Sequence, residues 1–164
     1  MGSLSLEIKA RCSDPHCIRK ILLAHGASFK GLDHQIDTYF HVPSGRLKLR
    51  EGNIENALIY YKRTDQKTSK QCDSSLFHCK KKTLLKKVLA ESLGVLAIVD
   101  KKREIYFIRN VKLHIDRVKC LGNFVEIEVF GRKGSGGVSK LKKQCEFYQG
   151  LLGIRAGDLV ADSY

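Results

Sequence analysis

Strand-forming stretches of this chain repeatedly place two or three charged side chains at alternate positions, and no other feature constrains its fold so strongly. Residues i and i+2 of a strand share a face. Sorted that way, Leu4–Arg11 carries Glu7, Lys9 and Arg11 on one side and Leu6, Ile8 and Ala10 on the other. Arg46, Lys48 and Arg50 share a face, as do Asp37 with Tyr39 and Tyr61 with Arg63. Lys101 joins Arg103, His114 joins Asp116, and Glu126 joins Glu128. A solvated face explains any one of these sets. Their repetition on nearly every strand weakens that reading, and if the sheet closes on itself these faces line one ionic interior. Such an interior is no core, and it calls for a ligand to neutralise it.

The remaining punctuation predicts an α+β fold. Asp14-Pro15 starts a helix with Ile18, Leu22 and Leu23 on its apolar stripe, and Gly26 stops it. Strands follow at Gln35–Phe40, Arg46–Arg50, Asn56–Arg63 and Cys72–Lys80, with Pro43-Ser44-Gly45 as a turn and a polar loop from Thr64 to Lys70. Leu84, Leu85, Val88 and Leu89 place a helix over Thr83–Ser92, closed by Gly94. Three strands come next: Val95 through Arg103, Glu104–Asp116 and Asn123–Phe130. A connector at Gly131–Gly137 leads to a last helix over Val138–Leu152, with Leu141, Cys145, Tyr148 and Leu152 inward. No linker or repeat divides the chain, so residues 1–164 are expected to form one domain.

Lys and Arg exceed Asp and Glu by thirty to seventeen, a net charge of +13 that points to a polyanionic partner. No apolar run approaches the roughly 18–20 residues that span a bilayer, and no secretory signal opens the chain. Cys12, Cys17, Cys72, Cys79, Cys120 and Cys145 are scattered without a Cys-x-x-Cys pair, as expected of reduced thiols in a cytoplasmic protein. Cys12, His16 and Cys17 lack the second ligand pair a zinc site needs.

On the inward faces, Lys9, Arg11, Arg46, Lys48, Arg50, Arg63, Lys101 and Arg103 outnumber Glu7, Asp37, Asp116, Glu126 and Glu128. A net positive channel with a carboxylate cluster suits a polyphosphate bound with a divalent metal: Lys and Arg hold phosphate oxygens, and carboxylates hold Mg²⁺ or Mn²⁺. Tyr39 and Asp37 are candidates to position substrate, and His114 is either a proton carrier or a hydrogen-bonded structural residue. The competing class is a nucleic-acid module carried by Lys80-Lys81-Lys82 with Lys86-Lys87. The absence of Trp and of stacking platforms beside the basic strands makes nucleic acid the weaker choice.

Glu7-Ile8-Lys9, Arg46-Leu47-Lys48-Leu49-Arg50, Lys101-Lys102-Arg103 and the run Ile115-Asp116-Arg117-Val118-Lys119-Cys120-Leu121-Gly122-Asn123-Phe124-Val125-Glu126-Ile127-Glu128 together resemble the CYTH family. Its members are also called triphosphate tunnel metalloenzymes and include class IV adenylyl cyclases and thiamine triphosphatase. The likeness runs from about Leu4 to Gly153. It leans toward the class IV cyclase-like branch through Gln35–Phe40 and Leu58–Arg63. It implies a closed eight-stranded antiparallel tunnel with helices packed outside. It further implies triphosphate bound by Lys9, Lys48, Arg50, Arg63 (or Lys62, depending on register), Lys101 and Arg103 with Tyr39, and Mg²⁺ or Mn²⁺ held by Glu7, Glu126 and Glu128. Lys9, Asp116 and Glu128 are the residues it implies for catalysis. Ser5 stands where the family's first motif glutamate is expected, which removes one metal-side carboxylate. The implied substrates are ATP, thiamine triphosphate or tripolyphosphate. Cyclisation of ATP to cyclic AMP and pyrophosphate, hydrolysis of a triphosphate, and non-catalytic polyphosphate binding all stay open, as does a homodimer.

Overall fold

A computed structural model describes residues 3–62, 70–80, 84–132 and 137–161. Eight antiparallel strands form a ring, in the order β1-β5-β4-β3-β2-β6-β7-β8. They are β1 (Ser3–Arg11), β2 (Ser28–Phe40), β3 (Arg46–Glu51), β4 (Asn56–Lys62), β5 (Lys70–His78), β6 (Val95–Ile108), β7 (Val111–Val118) and β8 (Gly122–Arg132). The ring is completed by a short seam in which Ser5, Leu6 and Glu7 of β1 pair with Cys72, Gln71 and Lys70 of β5. On its other edge β1 pairs with β8 along its whole length, from Ser3↔Arg132 to Arg11↔Phe124. The helices are α1 (Pro15–Ala24), α2 (Leu85–Leu93) and α3 (Gly137–Leu151).

Alternation decides what lies where. The even residues Leu6, Ile8 and Ala10 of β1 and the odd residues Leu113, Ile115, Val125, Ile127 and Val129 of β7 and β8 point outward. There they meet Ile18 and Leu22 of α1 and Leu141, Cys145 and Leu152 of the α3 region. This is the hydrophobic core, and it sits outside the barrel, under the helices. Each fully buried aliphatic side chain there contributes about 1.5–3 kcal/mol. The opposite parity points into the barrel and is mostly ionic. At one end the inward side chains turn apolar: Tyr39, Val99, Val118 and Phe124 cluster with Val160 and fill the barrel. The C-terminal segment is strapped to that end through the Val160 amide, which donates to the Lys9 carbonyl at 2.9 Å.

The helix signals act locally as read. Asp14 caps α1 by accepting from the amides of His16 and Cys17, both at 3.0 Å. Gly26, at φ +74°, lets Ala27 donate back to Leu22 and Gly26 to Leu23, the paired bonds that end a helix. Two boundaries depart from expectation. The strands predicted over Val95–Arg103 and Glu104–Asp116 divide elsewhere: β6 runs on to Ile108, and Arg109 turns the chain at φ 50° ahead of β7. No glycine marks that hairpin, and a non-glycine residue with positive φ leaves little trace in sequence. The strand predicted over Gln35–Phe40 begins earlier, at Ser28. Residues 63–69 and 133–136, where the polar loop and most of the last connector were expected, lie outside the described residues. No described helix is long and apolar enough to cross a membrane. Cys12, Cys17, Cys79, Cys120 and Cys145 are all unpaired thiols.

Candidate functional site

The barrel encloses a cavity of about 810 Å³. Glu7, Lys9, Tyr39, Lys48, Arg50, Lys101, Arg103, Glu126 and Glu128 all line it, so the sequence-predicted set converges on one place from five strands. Arg63 lies outside the described residues. Asp116 is fully buried behind Arg103 and does not reach the cavity.

The wall built by β2, β3 and β6 is cationic and is organised by Asp37. Its carboxylate, 1% exposed, accepts from Arg50 Nε and Nη2 at 2.8 Å, Lys101 Nζ at 2.9 Å and Lys48 Nζ at 3.1 Å. Burial pushes the Asp37 carboxyl up. The charges of Lys48, Lys101 and Arg50 outweigh burial and hold it well below the usual carboxylate range. Lys101 carries the counterpart strain: burial first, then the Arg103 and Arg50 charges, bring its ammonium well below the ordinary lysine value. Three cations around one carboxylate leave positive charge in surplus here. The Lys48 ammonium also lies 5.4 Å from the Tyr39 ring and 5.7 Å from the Tyr61 ring, seated by their π faces.

The wall built by β1 and β8 is the reverse. Register puts Glu7 opposite Glu128 and Lys9 opposite Glu126. Arg103 joins the two walls. Its Nε and Nη2 donate to Asp116 at 2.7 and 2.6 Å, and Nη2 donates to Glu126 at 2.8 Å. Against burial, Arg103 and Lys9 hold the Glu126 carboxyl well below its usual value. Glu128 has no hydrogen bond or ion pair to another described side chain. Burial and the neighbouring Glu126 charge raise its carboxyl above the ordinary range. Burial also lowers the Lys9 ammonium, opposed by Glu126.

His114, directly across from Glu126, is 1% exposed and lines the cavity. Neither ring nitrogen has a hydrogen-bond partner, and Nδ1 is 3.8 Å from Glu126. Burial, helped by the Arg103 charge, lowers its pKa to about 4, so the imidazole is neutral at pH 7.

Two expectations change. Arg11 is exposed, its guanidinium 5.6 Å from the Phe124 ring, and Arg46 borders a separate small cavity beside His41 and Leu96. Sequence reasoning also missed Lys112 and Glu55. Lys112 fell in the misread long strand, and Glu55 lies just before β4, where strand parity says nothing. Glu55 accepts from Arg50 Nη1 at 3.1 Å, from Gln35 at 3.1 Å and from Lys112. Burial raises its carboxyl, but Lys112 and Arg50 bring it down to about 2. Inside the mouth, where exposed Lys30 stands, Lys9, Lys48, Arg50, Lys101, Arg103 and Lys112 face Glu7, Asp37, Glu55, Asp116, Glu126 and Glu128. The described interior is therefore close to charge-balanced overall, not net positive, and polarised between its walls.

The CYTH domain model matches residues 4–164. The chain belongs to the CYTH family. The PH1012 protein of Pyrococcus horikoshii is similar to this CYTH chain at 25% identity, covering 98% of this chain and 96% of that one, with a TM-score of 0.84. A Vibrio parahaemolyticus protein designated a candidate adenylate cyclase shares the fold at 14% identity and a TM-score of 0.79, over 100% and 97% of the two chains. So does the Hippeastrum protein HpAC1, in which a dominant triphosphatase activity is described, at 11% identity and a TM-score of 0.62, over 99% and 92%. No curated protein matches the sequence.

The donor set bears on a metal. Among the described residues no three His, Cys, Asp or Glu side chains gather closely enough to enclose an ion, at Cys12, His16 and Cys17 or elsewhere. Glu7 and Glu128 nevertheless face each other across a ladder, beside Glu126, with the Glu128 carboxyl raised by burial and by the Glu126 charge. That suits a hard divalent ion, which takes one or two protein carboxylates and completes its shell with water and phosphate oxygens.

Proposed function

We propose that this CYTH protein is a divalent-metal-dependent phosphohydrolase acting on an organic triphosphate drawn into the barrel. One observation carries the reading: a wall with surplus cations around Asp37 faces a wall whose carboxylate, Glu128, lacks one. A triphosphate laid between them would present its anionic oxygens to Lys48, Arg50, Lys101 and Arg103. It also brings negative charge that an accompanying cation on the opposite wall would offset, tightening its hold. Glu7, Glu126 and Glu128 are the residues to hold Mg²⁺ or Mn²⁺ there. When bound, such an ion neutralises phosphoryl oxygens and lowers the pKa of water.

The protein's own residues do the positioning. Asp37 fixes Lys48, Arg50 and Lys101 in one cluster, and Asp116 sets Arg103, so the phosphate chain meets pre-oriented donors. Lys9 stands next to Glu126, where charge develops on the reacting phosphoryl group. The apolar plug at one end excludes water behind the substrate. The cavity is within the size range of organic-ligand pockets, and Ile54, Leu76, Ile105, Phe107 and Phe130 offer apolar surface for the organic group. Hydrolysis asks only for a water at the carboxylate wall, whereas cyclisation also asks for a held ribose hydroxyl. The triphosphatase activity described for HpAC1 supports the same choice.

The test is to incubate the protein with ATP, thiamine triphosphate and tripolyphosphate, each with Mg²⁺ or Mn²⁺, and separate the products by chromatography. Orthophosphate release that stops with a chelator is the expected result. Cyclic AMP with pyrophosphate replaces hydrolysis by ATP cyclisation, and no product from any of them leaves a binding protein.

A further inference from the structure

Glu55 reaches the cavity because of a clasp beneath it. Asp33 of β2, fully buried, accepts three consecutive backbone amides of the β3–β4 turn: Asn53 at 2.5 Å, Ile54 at 2.8 Å and Glu55 at 2.9 Å. The Gln35 side chain donates to the same carboxylate at 2.8 Å. A carboxylate seated in successive N–H groups behaves as an anion in a backbone nest, and it fixes the turn that supplies them. Gly52 is required by that closeness, since a Cβ there would lie 2.7 Å from both Asp33 oxygens.

The clasped turn aims Glu55 back across the barrel. Its carboxylate joins Arg50 on β3 to Lys112 on β7, strands separated in the ring by β2 and β6. Arg50 thereby has all its charge committed, to Asp37 through Nε and Nη2 and to Glu55 through Nη1. A phosphoryl oxygen arriving between Arg50 and Lys112 would find a carboxylate already seated there. Geometrically, Glu55 fills an anion position between the same kinds of donors that bind phosphate.

We propose that Glu55 is the resident anion of a phosphate subsite. It holds Arg50 and Lys112 apart and oriented, gives them up when a phosphoryl group enters, and so sets affinity rather than chemistry. Asp33 is the positioning residue that keeps it in place. The inference rests on the triphosphate reading above and adds the subsite and its occupant.

The test is calorimetric binding of inorganic tripolyphosphate in the presence of EDTA, which suppresses metal-dependent turnover, to the wild-type chain, Glu55→Gln and Glu55→Ala. Removing the competing charge is expected to tighten binding about tenfold in both variants and to tighten orthophosphate binding in the same direction. Glu55→Gln keeps the shape and Glu55→Ala leaves room for water around Arg50 and Lys112, so a folding defect in one does not remove the test; circular dichroism checks each. Unchanged or weaker binding in the folded variants, with the wild type still binding, overturns the subsite and leaves the triphosphate reading intact. No binding by the wild type or by either folded variant overturns both.

Discussion

The two walls of the barrel are built by the same alternation and yet solve opposite electrostatic problems. On the β2–β3–β6 wall a single buried carboxylate, Asp37, is shared by Lys48, Arg50 and Lys101 and is held firmly ionised. On the β1–β8 wall Glu128 sits next to Glu126 and across from Glu7, and its ionisation is disfavoured. Asp37 contributes to the fold because its partners came with the chain. Glu128, raised by burial and by the Glu126 charge, costs the fold something and gains from a cationic partner. A site poised for an ionic ligand shows this asymmetry: satisfied ion pairs position the binding groups, and unsatisfied ones bind.

Substitutions on the two walls should therefore break in different ways. The largest effect is expected from Glu128→Gln, which should lower metal-dependent turnover about a thousandfold, as loss of a group stabilising transition-state charge does. Its melting temperature should stay level or rise, because a disfavoured buried charge has gone. A normal rate would take Glu128 out of the metal site. Asp37→Ala should do the reverse, destabilising the chain by about 3–5 kcal/mol in urea titrations, since breaking a buried cluster leaves cations without a counter-ion. Arg103 bridges the walls, and Arg103→Met should raise KM for the triphosphate at least about tenfold, from the loss of charge-assisted bonds. An unchanged KM would deny it a binding role.

Acid titration sharpens the contrast at smaller amplitude. The Asp37 carboxyl is depressed on folding, so its contribution to stability is present above the ordinary carboxylate pKa of about 3.9 and disappears as pH falls toward the folded value. The metal-free protein should accordingly keep this cluster until well below the usual carboxylate range. His114 works earlier. Its folded pKa of about 4 lies below the ordinary value, so the unfolded state takes up the proton first and stability declines from about pH 6.5 down to about 4. Urea midpoints of the metal-free protein across that window should lose this slope in His114→Phe, and an unaltered slope would remove His114 as its source.

The amino-acid order alone determined which side chains share a face, and hence that Lys9, Lys48, Arg50, Lys101, Arg103, Glu126 and Glu128 would travel together. Alternation is a local property of extended backbone, readable residue by residue. It also carried the α1 cap at Asp14 and the family itself, through the run ending at Glu128. Tertiary structure decided everything that depends on which strands become neighbours. Asp37 meets Lys101 across 64 residues of chain, and Glu55 meets Lys112 across 57. No pattern in sequence announces such pairs. The same closure put Asp116 behind Arg103, Arg11 at the surface, and as many carboxylates as cations inside. Those outcomes follow from register and curvature, which arise only once the ring has formed.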